Sequence, residues 1–379
     1  MNIFLFPQRI GAFDIITPIF YKIKKKSGRT NLIIFDNKQV FEELTENKEI
    51  FDLLKKSSKF IKLFNFNKLF FKIYKLFLLL FFCLTLKNNI FSRSYSGFFE
   101  KTIAKVNYFF GGNNFVIPGS ISTFEECLRR YYFPNGKLRK EGKILEKKIE
   151  QQKGCKMLLF SKVNIEYYKK RGINEFTLVG YPIFYEEFKD FISKNSLRYF
   201  SVECKNKKKK IIKSKTISIH INKYFGRWAN KTDQWLENRL IKILEICDNK
   251  FKNVTFLIRI HPVIKEKYLD KYYKIKSLKK DNIIFTKLHP SSMAKLSFLT
   301  IGITTSSTFL HSLSMQTPYI EYAELTKDQL KIFPEGSMHV TFGVLPAKSL
   351  LDLKNKLNLI KEKKKISLFL QLKENHKTL

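Results

Sequence analysis

The residues Arg-Ile-His-Pro at 259–262 follow the apolar run "VTFLI", so Arg259 and His261 arrive where a buried strand ends. Pro262 stiffens the exit. A guanidinium and an imidazole placed there suit an anionic ligand, although a plain turn has the same residues. A second His-Pro, His289–Pro290, follows "NIIFTKL" and shows how readily the pair arises. The stretch "LTIGITTSSTFLHSLSMQTPYIEY" (299–322) reads as strand, hydroxyl-rich turn, helix and strand. Its turn crowds Thr304, Thr305, Ser306, Ser307 and Thr308 ahead of a helix that carries His311. Capping a helix needs one hydroxyl. A run of five, with backbone N–H groups, offers a seat for phosphate.

Three carboxylates are candidate bases. Asp14 stands in "RIGAFDIITP" at the start of a helix, where it also reads as an N-cap. Glu125 and Glu126 follow "PGSIST" and also read as the far end of a capping box from Ser122 or Thr123.

Alternating elements must position these groups. The strand at 3–6, the helix of "DIITPIFYKIKKKSG" with Gly28 as its C-cap, the strand "TNLIIFD" and a further helix form a β-α-β-α series. The pattern resumes at "CKMLLFSK" and again, beyond a Lys-rich stretch, at "TISIHIN". Such alternation implies parallel sheets covered on both faces. The expected organisation is α/β: one domain over 1–204, a Lys-rich linker over 205–215 and a second domain over 216–379. Ligands bind at the carboxyl ends of such strands, where Arg259, His261 and the Ser/Thr turn emerge. The two motifs are expected on neighbouring strands, with His289 as the alternative partner of the turn.

The chain has 379 residues and a net charge of +38, and 44% of its residues are apolar. That is enough for two domains of ordinary size. Only 11 of its 71 basic residues are Arg, and base readout relies on Arg forks. No specific nucleic-acid partner is expected; the abundant Lys, Asn, Ile and Phe also fit an AT-rich coding sequence. Five scattered cysteines without a CxxC pair point to a reducing, cytoplasmic setting and against a zinc site. Residues 59–91 interleave Lys59, Lys62, Lys68, Lys72 and Lys75 with Phe and Leu. Their uncharged centre, 76–86, falls short of the roughly 20 residues of a membrane span. The segment is expected as a helix or helical pair at an anionic membrane surface, or as a core helix with snorkelling lysines.

The basic-His-Pro motif followed by Ser306–Ser307 resembles the second domain of GT-B glycosyltransferases, above all bacterial sialyltransferases and capsule polysaccharide transferases. The resemblance covers about residues 216–325. It implies two Rossmann-like domains facing across a cleft, 1–204 binding the acceptor and 216–379 the nucleotide-sugar, with His261, Ser306 and Ser307 on the phosphate of a CMP-linked acidic sugar. "R-x-G-x-x-D" at 9–14 resembles the opening of heptosyltransferases, which makes Asp14 the base of an inverting transfer. His311 stands where many GT-B enzymes have Glu, and the acidic pair of sialyltransferases is missing. No DxD motif occurs, so neither a metal nor another cofactor is expected. The implied activity is transfer of a sugar from a nucleotide donor to a cell-surface glycan or glycolipid acceptor. An epimerase or glycerophosphate transferase on the same scaffold, and a non-catalytic membrane- or polyanion-binding protein, are the alternatives.

Overall fold

The computed structural model describes residues 1–65, 73–74, 77–78, 81, 87–93, 98–118, 151–169, 171–203, 211–221, 233–260, 280–304, 306–337 and 339–362. His261, Thr305, Glu125, Glu126, the stretch 204–210 and much of 66–86 lie outside them. The described residues up to 191 form one compact unit and those from 192 onward a second.

The first unit is a seven-stranded parallel sheet of order β3-β2-β1-β4-β5-β6-β7. Its strands are β1 (Asn2–Leu5), β2 (Asn31–Phe35), β3 (Ser58–Lys62), β4 (Asn89–Ser92), β5 (Asn113–Val116), β6 (Cys155–Leu159) and β7 (Phe176–Leu178). Central strands such as β1 are apolar on both faces because helices cover both. Helix α1 (Phe13–Ser27) ends as expected at Gly28, whose φ of 69° suits a residue without a Cβ. It packs with α3 (Lys48–Ser57), which follows α2 (Lys38–Glu46). The other face meets α4 (Phe98–Phe109) through Ile103 and Ala104. Asparagines pin the strand register: Asn2 donates to Asn31 at 3.1 Å, Asn89 to Asn2 at 3.0 Å and Asn113 to Asn89 at 3.1 Å. Part of the asparagine content is therefore structural.

The segment expected as a membrane-facing helix is bounded by strands. Residues 58–62 form the edge strand β3, and 89–92 form β4 next to β1. Pairing with β2 leaves Lys59 and Lys62 exposed, so the lysines of this strand lie on a sheet edge rather than a helix. Between the strands, Ile73, Tyr74, Phe77, Leu78 and Phe81 are helical.

Helix α5 (Lys162–Lys169) follows β6, and α6 (Glu186–Glu203) leads out of the first unit. The division falls inside α6, ahead of the Lys-rich stretch 205–215. The reason is packing: Ser196 Oγ donates to Ser292 Oγ at 3.3 Å, and Glu203 accepts from Thr286 Oγ1 at 2.9 Å.

The second unit is a six-stranded parallel sheet of order β10-β9-β8-β11-β12-β13. It comprises β8 (Thr216–Ile221), β9 (Thr255–Ile260), β10 (Ile283–Phe285), β11 (Leu299–Ile303), β12 (Tyr319–Tyr322) and β13 (Leu345–Ala347). Helices α7 (Asp233–Lys250) and α11 (Leu350–Lys361) cover one face, where Ile217, Ile219, Ile258, Ile301 and Ile303 bury against Leu240, Ile243 and Leu353. Helix α10 (Lys327–Ile332) starts with a Thr326–Gln329 capping box. The short helices α8 (Pro290–Leu296) and α9 (Thr308–Ser314) lie elsewhere, with α8 against β8 and α9. No helix among the described residues is long and apolar enough to cross a membrane.

Candidate functional site

The period of two along β8 decides what lies beneath α8 and α9. Ile217, Ile219 and Ile221 face the apolar core, which sends Thr216, Ser218 and His220 to the other face. Register then aligns a polar row across the sheet. His220 lies opposite Arg259 on β9 and Gly302 on β11, and Gly302 lies opposite Glu321 on β12. Partners in a parallel ladder point the same way, so one sheet face carries hydroxyls, an imidazole, a guanidinium and a carboxylate.

Most of that row is saturated. Ser218 Oγ and Thr300 Oγ1 are 2.9 Å apart. Glu321 Oε2 meets His339 Nδ1 at 2.7 Å with both side chains fully buried. Arg259 donates to the carbonyl of Leu288, anchoring the loop that leads to His289. His220 Nε2 has no hydrogen-bond partner among the described residues. Burial pushes the His220 imidazole well below its ordinary value, and the positive Arg259 with the rings of His311 and His289 adds to this.

Although β9 and β8 separate β10 from β11, α8 folds back over β8 and brings the two strand exits together. His289 caps α8: its Nδ1 accepts from Ser291 N at 3.3 Å. His311 Nδ1 lies 2.9 Å from Ser291 Oγ. The rings of His289 and His311 meet edge to face, 4.9 Å apart. Both are buried.

The turn after β11 stands at the same end of the sheet. Thr304 has φ 76°, a conformation that costs a β-branched residue about 1–3 kcal/mol. Ser306 Oγ accepts from Thr308 N at 3.3 Å, and Thr308 Oγ1 pairs with Tyr319 OH at 3.1 Å. Ser307 holds the N-cap position and makes no side-chain cap bond. Gly302 creates the room for Tyr319: a Cβ there would come within 1.7 Å of the phenol oxygen. Ser306, Ser307 and Thr308 are thus gathered, and Ser307 is the hydroxyl left out of the capping pattern.

A further cluster follows β12. Arg239 Nε donates to Glu324 Oε1 at 2.6 Å, Trp235 Nε1 to Glu324 Oε2 at 3.2 Å, and Tyr322 OH also donates to Glu324. Burial alone would raise the Glu324 carboxyl, but the bonds from Arg239 and Tyr322 hold it below the usual carboxylate range.

Of the expected residues, Arg259, His289, Ser306, Ser307, Thr308 and His311 all lie in the second unit at the carboxyl ends of its strands or in the helices that follow them. His261 and Thr305 lie outside the described residues, and β8 stands between the strands that lead to them, which are therefore not neighbours. Asp14 lies in the first unit, within the first turn of α1, with Ala12 rather than Asp14 at the cap position. Glu125 and Glu126 fall outside the described residues. Sequence reasoning missed His220, the Glu321–His339 pair and the Glu324 cluster. The alternation in "TISIHI" was the available signal, since a polar residue at every second place in a buried strand marks a polar layer.

No family model matches the chain, and no curated protein matches it in sequence. Solved structures match its fold. The MnaA–UDP co-structure from S. aureus gives a TM-score of 0.52 at 10% identity, covering 99% of this chain and 90% of that one. UDP-GlcNAc 2-epimerase from Neisseria meningitidis bound to UDP-GlcNAc gives 0.52 at 12% identity, over 99% of this chain and 94% of that one. UGT89C1 from Arabidopsis thaliana complexed with UDP gives 0.52 at 11% identity, over 100% and 94%. The chain has the two-domain α/β fold, GT-B, that these structures share.

Proposed function

We propose that the chain is a nucleotide-sugar-dependent glycosyltransferase, acting in cell-surface polysaccharide or lipopolysaccharide assembly, with its donor held by the second unit. One observation carries the reading: His289 and His311, which follow strands separated by two others, lie edge to face at the end of the sheet where Ser306–Thr308 emerges. Imidazoles, hydroxyls and the Arg259 guanidinium together suit phosphate oxygens. In the reaction, the bond from the anomeric carbon to the donor phosphate breaks and the nucleotide leaves with the electron pair. A bond from that carbon to the acceptor oxygen forms. Asp14 takes the acceptor proton, and the histidines and hydroxyls offset the charge on the departing phosphate. This scheme uses no divalent cation.

The donor nucleotide separates two lines of support. The His-Pro and Ser-Ser motifs favour a CMP-linked acidic sugar, whereas the solved structures of this fold named above carry UDP or UDP-GlcNAc. An epimerase is the second reading, supported by the fold of the Neisseria enzyme. A thermal-shift screen against CMP, CDP, UDP, GDP and ADP tests nucleotide use, because a ligand of the folded state raises Tm only when it binds. The matching nucleotide-sugar is then incubated without acceptor. An epimerase changes the sugar's stereochemistry there, while a transferase leaves it intact until an acceptor is added.

A further inference from the structure

Helix α4 turns an aromatic and basic stripe outward. Phe98 is 90% exposed and Phe109 is 83% exposed. Eleven residues apart, they return to the same side of the helix and stand about 16 Å from each other along it. Lys101, Lys105 and Tyr108 are the other exposed positions of α4, so none of its exposed side chains is acidic. Lys87 lies beside Gly111, just past the end of the helix. The helical residues Ile73, Phe77 and Phe81 repeat the arrangement with 41%, 62% and 36% exposure. Their neighbours Tyr74 and Leu78 pack into the apolar cluster that also holds Ile103, Ala104 and Phe99 of the α4 segment. Both groups therefore cover one face of the first sheet and present phenylalanines to the outside. A soluble monomer rarely exposes aromatic residues to this extent without a partner.

We propose that this face of the first unit is a membrane-docking surface for anionic phospholipid, with Phe98 and Phe109 entering the acyl boundary and Lys101, Lys105 and Lys87 meeting the headgroups. Charge selects the occupant. Lysines spaced between aromatics on a helix are the pattern of interfacial binding, where stems lie along apolar surface and ammonium groups reach outward. The net charge of +38 draws the protein toward any anionic bilayer, and α4 supplies the apolar contact that charge alone lacks. The surface is independent of the nucleotide reading, since vesicle binding is measured without a donor.

The test is co-sedimentation of the full chain with vesicles of two parts phosphatidylcholine to one part phosphatidylglycerol, at about 0.05 M and about 0.5 M salt. Phe98→Ser with Phe109→Ser should weaken binding by at least about tenfold and remove what survives at high salt. Lys101→Glu with Lys105→Glu should weaken it mainly at low salt. Leu351→Ser, at an exposed apolar position of α11, should bind as wild type. The proposal is overturned if wild type fails to bind at low salt, or if the phenylalanine variant binds undiminished, which would leave only diffuse lysine attraction. It is equally overturned if wild type sediments as a dimer and the phenylalanine variant as a monomer, because a second copy would then be the occupant.

Discussion

Ser291 Oγ lies 2.9 Å from His311 Nδ1, so one buried hydrogen bond joins the helix after β10 to the helix after β11. Both groups are removed from water. Ser291→Ala leaves a buried imidazole nitrogen without that partner, which costs about 1–3 kcal/mol. Urea unfolding should show this loss, and nucleotide affinity should fall with it because the two strand exits are no longer fixed to each other. Unchanged stability would mean that this bond does not hold the helices.

His220 gives the second unit a pH dependence of known sign. Burial, aided by the charge of Arg259 and the rings of His311 and His289, depresses the folded-state pKa below the ordinary 6.5. Below that pH the unfolded chain takes up a proton that the folded chain refuses. Stability should therefore be flat above about pH 6.5 and fall below it by up to about 1.4 kcal/mol per pH unit. His220→Leu should remove one proton's worth of that slope. Urea midpoints at pH 7.5, 6.5 and 5.5 for both proteins measure it, and parallel curves would refute the assignment.

Gly302 is a packing requirement rather than a turn. In Gly302→Ala the new methyl collides with Tyr319, whose hydroxyl is the partner of Thr308. Forcing that ring aside should cost about 1–3 kcal/mol. A crystal structure of the variant should show Tyr319 rotated away from Thr308. An unmoved ring would contradict the geometry.

Strands with clean apolar patterning and helices with Gly or hydroxyl caps were legible in the sequence, among them α1 with Gly28 and the β11–α9–β12 series. The strands β3 and β4 were not, because "SKFIK" places Lys59 and Lys62 three apart, a helix-like spacing, and sits in a Lys- and Phe-rich run that mimics an interfacial helix. The turn residues Ser306–Thr308 could be found from composition. Their relation to His289 and His311 could not, since it depends on α8 folding back over β8, a tertiary event that no local pattern encodes. The asparagine ladder was hidden for a different reason: asparagine was abundant enough to pass for compositional drift.

The central claim, that Ser306–Thr308 receives the phosphate of a nucleotide, is tested most directly by Ser307→Asp. Ser307 makes no side-chain cap bond to lose, and a carboxylate ahead of the first turn is favoured by the helix dipole, so the variant should fold with Tm close to that of wild type. Its carboxylate would stand where the phosphate binds, and two like charges at about 4 Å repel by about 1–4 kcal/mol depending on solvent access. Calorimetric titration with the nucleotide that stabilises wild type should then show affinity reduced by at least about tenfold. Undiminished affinity in a folded Ser307→Asp protein would contradict the account.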